Sequence, residues 1–337
     1  LVLCLDDWTF EALRQNPSPG LQPVRLADLE AWDPALAAAR SSRSLIEYYF
    51  TLTPCICRWV LHLNATAEAV TYLDSDLFFF GNPQVVLDEM ARDSVGIIAH
   101  RFAPGLESRS RYGRFNVGWI TIRRDVNGET VLDWWRSRCL EWCRDEVDGE
   151  RFAEQGYLND WPTRFRGVRV IEYKGANVAP WNISRYEFSL RRTKPHVDDT
   201  PIVFFHVHGL RRVGKKTWWP QLEAYDVTLT KELFKGVYRP YVTALVTEEQ
   251  AIARRPPPTV ASGSLESGAR SALRGASRTM LPEDVWNLLG TGAAMTQRWH
   301  QTALPLRAIA PLLIRAANLR GRIRSRLDRG PHSTSDV

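Results

Sequence analysis

The chain has 337 residues, 44% of them hydrophobic and 24% charged, with 20 Pro, 21 Gly and 13 Trp. That excludes a collagen, a disulfide-stapled mini-protein and a wholly disordered chain, and it suffices for a domain of roughly 200–250 residues plus further segments. The net charge of +6 sits in one place: residues 298–337 hold eight Arg, no Lys and two Asp, so residues 1–297 balance to zero and no nucleic-acid partner is expected.

In chain order, Leu1–Leu5 reads as a short buried strand, followed by a helix over 8–15 that stops at Asn16-Pro17-Ser18-Pro19-Gly20. No Met precedes that strand, so part of the N-terminal strand region is expected to be missing. Val24 and Leu26 belong to a second strand, and 32–40 is an Ala-rich helix. Ser41 or Ser42 caps a long apolar helix over 44–61, which Pro54 should kink or divide. Strands are predicted at 69–73, 94–99, 115–122, 168–172 and 201–207. Helices are predicted at 84–91, 128–143, 151–160 and 230–253. Short apolar strands alternating with helices imply an α/β fold: a mostly parallel central sheet with helices on both faces.

The predicted organisation is a main folded domain over 1–250, a Pro/Ser/Gly-rich linker over 251–280 and a basic, partly amphipathic tail over 281–337. The tail is an extension that is partly helical, partly disordered, with a peripheral membrane contact as one reading of its arginines. Cys4, Cys55, Cys57, Cys139 and Cys143 show no scaffold-like spacing, which suits structural thiols in a reducing cytoplasm. No apolar run reaches the roughly 18–20 residues of a membrane span, and no signal peptide is recognisable. The expected location is therefore cytoplasmic, with the inner face of the membrane as a variant of it.

Two motifs carry chemistry. Asp74-Ser75-Asp76 closes an apolar strand and precedes Phe78-Phe79-Phe80. Two carboxylates two residues apart at a strand end can reach one hard cation, Mn²⁺ or Mg²⁺, and carboxylates amid that much apolar surface need a partner. The second motif is His206-Val207-His208-Gly209 after Phe204-Phe205. Imidazoles at i and i+2 point the same way on a strand, so one can complete the site. Arg211, Arg212, Lys215 and Lys216, with Trp218-Trp219 after them, read as a phosphate-holding cluster or as a solvated basic loop.

In this order the motifs resemble those of nucleotide-sugar-dependent glycosyltransferases of the GT-A fold, in particular glycosyltransferase family 8 and its bacterial relatives. The resemblance covers roughly residues 1–220. It rests on Asp74 and Asp76, on Phe115-Asn116-Val117-Gly118, on Glu154-Gln155 before Gly156-Tyr157, and on His206 to Gly209 with the Lys and Trp beyond. Glu154 stands where the family has Asp, Val207 replaces an aromatic residue, and the stretch after Gly209 is longer. The resemblance implies a hexosyltransferase that moves a sugar from a nucleotide-diphospho-sugar donor to a glycan, lipid-linked or other acceptor, with retention of anomeric configuration. It implies Mn²⁺ or Mg²⁺ on Asp74, Asp76 and His206, with His208 as the other candidate ligand or a phosphate contact. Donor or phosphate contacts would come from Arg43, Asp74, Lys215, Lys216 and His208; Gln155, Asn116 and Glu154 would serve the reacting sugar, and Trp181 and Asp160 the acceptor. Arg43 is also readable as a structural arginine and Trp181 as a core residue. Two other readings share the layout: a sugar-phosphate nucleotidyltransferase and a non-catalytic sugar-nucleotide-binding scaffold.

Overall fold

The computed structural model describes residues 1–253 except Lys215 and Lys216. The sequence-based linker from 254 onward, the basic tail and the two lysines lie outside the described residues. The chain starts with β1 (Val2–Cys4), α1 (Asp7–Gln15), β2 (Pro23–Arg25), α2 (Leu26–Trp32), α3 (Pro34–Ala39) and α4 (Leu45–Leu63). β1 and β2 pair in parallel as a small sheet of their own. Leu26, placed in a strand by the sequence reading, instead starts α2.

The cap of α4 is Ser44, not Ser41 or Ser42. Its hydroxyl accepts from Glu47 N and the Glu47 carboxylate accepts from Ser44 N, a reciprocal capping box. α4 remains one helix through Pro54 rather than dividing there. Nine of its residues, Pro54 included, are buried, and that packing holds the helix across the missing N–H.

The central sheet contains β3 (Ala69–Leu73), β5 (Val95–Ala99), β6 (Phe115–Arg123) and β7 (Val168–Ile171) in the order β3-β6-β5-β7. β4 (Leu77–Phe79) and α5 (Gln84–Asp88) lie between β3 and β5 in the chain, and α6 (Val126–Glu141) and α7 (Trp161–Arg164) between β6 and β7. The α/β expectation holds, but the sheet is mixed and not mostly parallel. β6 is antiparallel to both of its neighbours, and only β5 and β7 pair in parallel. The reason lies in the connection from β5 to β6. Residues 100–114 hold only a 3-10 segment, Glu107–Tyr112, and no crossover helix, so the chain turns back beside the strand it has just left. β3, β5 and β7 therefore run one way and β6 the other.

Alternation along the strands splits the core. Ile97, Ile120 and Ile122 pack with Leu61 of α4 and Trp135 of α6 on one face. Ile98, Trp119 and Ile171 pack on the other face with Val86 of α5 and Phe204. The segment 151–160, predicted as a helix, is a tight loop followed by a 3-10 turn over Gly156–Asp160. Beyond β7 come β8 (Phe188–Arg191), β9 (Lys194–Val197) and β10 (Thr200–Pro201), which form an antiparallel sheet, then β11 (Phe204–His206). β12 (Arg211–Arg212) pairs with β13 (Trp218–Trp219). The described region closes with α8 (Lys231–Leu233), a π turn over Phe234–Tyr238 and α9 (Arg239–Ala253), so residues 251–253 are helical. None of the described helices is long and apolar enough to cross a membrane.

Asp33 ties the N-terminal helices to α6. Its buried carboxylate caps α3 at Leu36 N and takes two bonds from Arg136, at 2.8 and 2.5 Å. Asp33→Ala removes a cap and a largely buried pair. Unfolding in urea should show a loss of about 2 kcal/mol, the partial exposure of Arg136 keeping the cost below that of a fully buried pair. An unchanged midpoint would contradict this role for Asp33.

Candidate functional site

The site is assembled by one pairing. β11 runs antiparallel to β4, with His206 opposite Leu77, Phe205 opposite Phe78 and Phe204 opposite Phe79. Val207 N extends the ladder to Asp76 O at 2.9 Å. Side chains alternate along β11. Phe205 enters a core with Tyr238 and Val237, while Phe204 stacks on Trp119 on the opposite side. His206 follows Phe204 by two and so shares its side of the strand.

Asp74 and Asp76 flank the turn between β3 and β4. Asp74 N bonds Gly118 O, and Leu77 N bonds Asp74 O. Both carboxylates reach the same imidazole: His206 Nε2 is 2.9 Å from Asp76 Oδ1 and 3.7 Å from Asp74 Oδ2. Burial pushes the Asp74 carboxyl up, aided by the Asp76 charge and opposed by His206. Burial also pushes Asp76 up, but the His206 hydrogen bond and the charges of His206 and His208 outweigh it and hold that carboxyl below its ordinary value. The two aspartates thus share a turn but not an electrostatic environment.

Asp76, His206 and His208 each offer a ligand atom, and these lie within 4.8 Å of one another. This differs from the Asp74, Asp76 and His206 set implied by the sequence. His208 joins the group, while Asp74 stands beside it, the farther of the two aspartates from His206 Nε2. One carboxylate and two imidazoles, with a second carboxylate adjacent, suit a divalent first-row transition ion, which accepts imidazole nitrogen, better than Mg²⁺, which favours oxygen alone.

Trp181 is buried against this group and not displayed to solvent. Its ring centroid is 5.0 Å from that of His206, 5.6 Å from His208 and 5.3 Å from His100. Tyr225 lies edge-on to both Trp181 and His208, with the Arg109 guanidinium 4.6 Å above its ring. His208 is the exposed member of the group; partial desolvation beside its neighbours lowers its pKa, and the charges of His206, Arg109 and Arg211 add to that effect against the pull of Asp76.

Asn116 sits in this centre. Its Oδ1 accepts from Gly118 N at 3.0 Å and lies 3.3 Å from His206 Nδ1, and its Nδ2 is 3.4 Å from His100 Nε2. Sequence reasoning missed His100, Arg109 and Tyr225. The signal for His100 was present, since it directly follows the apolar strand Val95–Ala99, a position where polar residues merit scrutiny.

The remaining candidates lie in other settings. Arg43 donates to the carbonyls of Cys139, Leu140 and Cys143, capping the C-terminus of α6, which is its structural reading. Gln155 gives its amide to Tyr112 O at 2.7 Å and underlies Gly113, whose φ of +124° and lack of a Cβ let it approach. Asp160 pairs with Arg164. Glu154 turns into the core from a loop in which Ala153 has a φ of +46°. Its Oε2 is buried without a hydrogen-bond partner, and burial, with Cys143 and Asp74 nearby, raises its carboxyl well above the ordinary range. All five cysteines are buried free thiols.

No protein-family model matches the chain. The chain is 33% identical over 251 residues to YfnD of Bacillus subtilis (strain 168), described as an uncharacterized protein, covering 72% of this chain and 78% of that one. It is 31% identical over 221 residues to YfnF of the same organism, also described as uncharacterized, covering 63% and 72%. The chain belongs to the same family as these two proteins.

A carboxyl whose folded pKa is raised loses stability as pH climbs above its unfolded value of about 4.5. Glu154→Gln removes that loss. In thermal melts the variant should match the wild type near about pH 4.5 and melt higher than it at about pH 8. A variant that melts lower at the alkaline end would show that Glu154 is ionised and paired.

Proposed function

We propose that this member of the YfnD and YfnF family is a metal-dependent glycosyltransferase with a GT-A-like catalytic domain. It would transfer a sugar from a nucleotide-diphospho-sugar to a glycan, a lipid-linked or another acceptor, with retention. The observation that carries the reading is the meeting of Asp76, His206 and His208, with Asp74 beside them, at the ends of β3 and β11. The Phe115-to-Gly118 motif contributes Asn116 to the same centre.

A divalent cation, when bound, would neutralise the charge that grows on a leaving diphosphate. Asp76, His206 and His208 would hold it, and Asp74 would supply a further oxygen to it or to a bound water. Arg109, fixed over Tyr225 and bonded to Ala224 O, would place a permanent positive charge toward the diphosphate. Such a charge accelerates the reaction only where the leaving group bears more charge in the transition state than in the ground state. Trp181 would shape the site through the rings it packs, and the acceptor would be recognised elsewhere. Glu154, buried in the core with its carboxyl pKa raised, is a poor nucleophile, so the retaining chemistry would not run through that carboxylate.

The test is turnover of a panel of nucleotide sugars with Mn²⁺, with EDTA, and with Asp76→Ala. The expected result is release of nucleoside diphosphate from one donor, with a loss of at least about 100-fold under both EDTA and the substitution. A donor that binds with Mn²⁺ but is not turned over would favour the non-catalytic scaffold. Binding of no donor in the presence of Mn²⁺ would overturn the transferase reading.

A further inference from the structure

β6 breaks register against β5 at one place. Ile97 faces Ile120, but the next residue, Ile98, faces Asn116. Val117, Gly118 and Trp119 are thereby released from β5, while on the other side of the strand Trp119 still pairs with Leu73 and Gly118 O still accepts from Asp74 N. Irregularities of this kind re-aim a side chain. The Asn116 side chain folds back over the released segment, and its Oδ1 takes the Gly118 N–H. A backbone N–H has no acceptor, so this bond fixes which end of the amide is oxygen.

The same oxygen faces His206 Nδ1. A ring nitrogen facing a carbonyl oxygen that already accepts from Gly118 must donate, so Nδ1 carries a proton. Nε2 is then the nitrogen turned to Asp76. When Nε2 is protonated it donates to that carboxylate, and when it is not, its lone pair points where a cation would sit.

His100 completes the chain. Its Nε2 faces Asn116 Nδ2, which is a donor, so that ring nitrogen must accept. The other ring nitrogen, Nδ1, is buried and makes no hydrogen bond, with the backbone of Arg114 and Gly113 nearby. Burial pushes the His100 pKa down to about 3, so the ring stays neutral and keeps its acceptor. Stacking on Phe102, with ring centroids 4.7 Å apart, holds it in place.

Gly118 admits this arrangement. A Cβ there would lie 2.7 Å from Asn116 Oδ1 and 2.8 Å from His206 Nδ1. The glycine of the Phe115-to-Gly118 motif is thus explained by the closeness of an amide and an imidazole.

We infer that Asn116 is a positioning residue: it holds His206 with Nδ1–H turned inward and Nε2 turned to the carboxylates, and His100, at the other end of the amide, reinforces the orientation that the Gly118 N–H sets. The inference rests on the metal reading proposed above. It gives Asn116 a duty toward a ligand side chain in place of a sugar hydroxyl. Hydrogen bonds of this kind to metal-bound histidines set ring orientation and basicity, and their loss typically costs about 10–100-fold in affinity.

The experiment measures Mn²⁺ affinity by electron paramagnetic resonance for the wild type, Asn116→Leu, Asn116→Asp and His100→Phe. Proton NMR of the metal-free proteins reports a protected His206 Nδ1–H. Asn116→Leu should lose about 10–100-fold in affinity and lose the protected proton. Asn116→Asp, which keeps the acceptor, should retain both. His100→Phe, which keeps the stack on Phe102, should weaken binding with folding intact, and it decides the matter if Asn116→Leu does not fold. Wild-type affinity in a folded Asn116→Leu or His100→Phe would overturn the inference. A wild type that shows the protected proton yet binds no Mn²⁺ would instead overturn the metal reading and leave the hydrogen bond standing.

Discussion

The ladder between β4 and β11 is the constraint on which the candidate site depends. It joins residues that follow Asp76 directly to residues that lead into His206, so a slip of one residue would turn the imidazoles away from the aspartates. The register is held by aromatic packing. Phe204 stacks on Trp119 and lies tilted against Phe79, while Phe205 enters the opposite core with its edge toward Tyr238. The polar centre is therefore positioned by apolar contacts on both sides of a three-residue strand. His206 N also bonds Val178 O, which adds a backbone tether on the side away from β4.

Above that ladder the site is a linked set of groups whose protonation is arranged by burial and by contact with His206. His100 is kept neutral, Asp74 is raised and Asp76 is lowered, though the two aspartates are two residues apart. The difference follows from distance: Asp76 has the short contact to His206 Nε2 and Asp74 the long one. Trp181 excludes water from one side of the imidazoles and offers them a ring in place of a charge. The break in register of β6 gives Asn116 the freedom to bridge His100 and His206, which a regular strand would not.

Much of this was legible in the sequence. The strand ending at Leu73, the two aspartates after it and the histidine pair after Phe205 follow from apolar runs ended by polar residues. Their coming together was anticipated from strand ends, and the structure brings Asp76, His206 and His208 within reach of one ion. What was not legible depends on long-range geometry. The Phe78-Phe79 stretch reads as an apolar run and gives no hint that it pairs with β11. The return of β6 antiparallel to β5 follows from the irregular path of residues 100–114, which periodicity does not encode. Arg43 reads equally as a phosphate contact or a structural arginine until α6 is seen to end beneath it. Glu154 and Gln155 are adjacent in sequence, yet one points into the core and the other binds Tyr112 O, because the tight loop before Gly156 separates their directions.

The central claim is that two imidazoles and a carboxylate meet as ligands of one ion. Electron spin-echo envelope modulation of Mn²⁺ bound to the wild type, repeated with His208→Ala, counts the coordinated imidazole nitrogens directly. The account predicts two in the wild type and one in the variant. Modulation from one imidazole or from none in the wild type would contradict it.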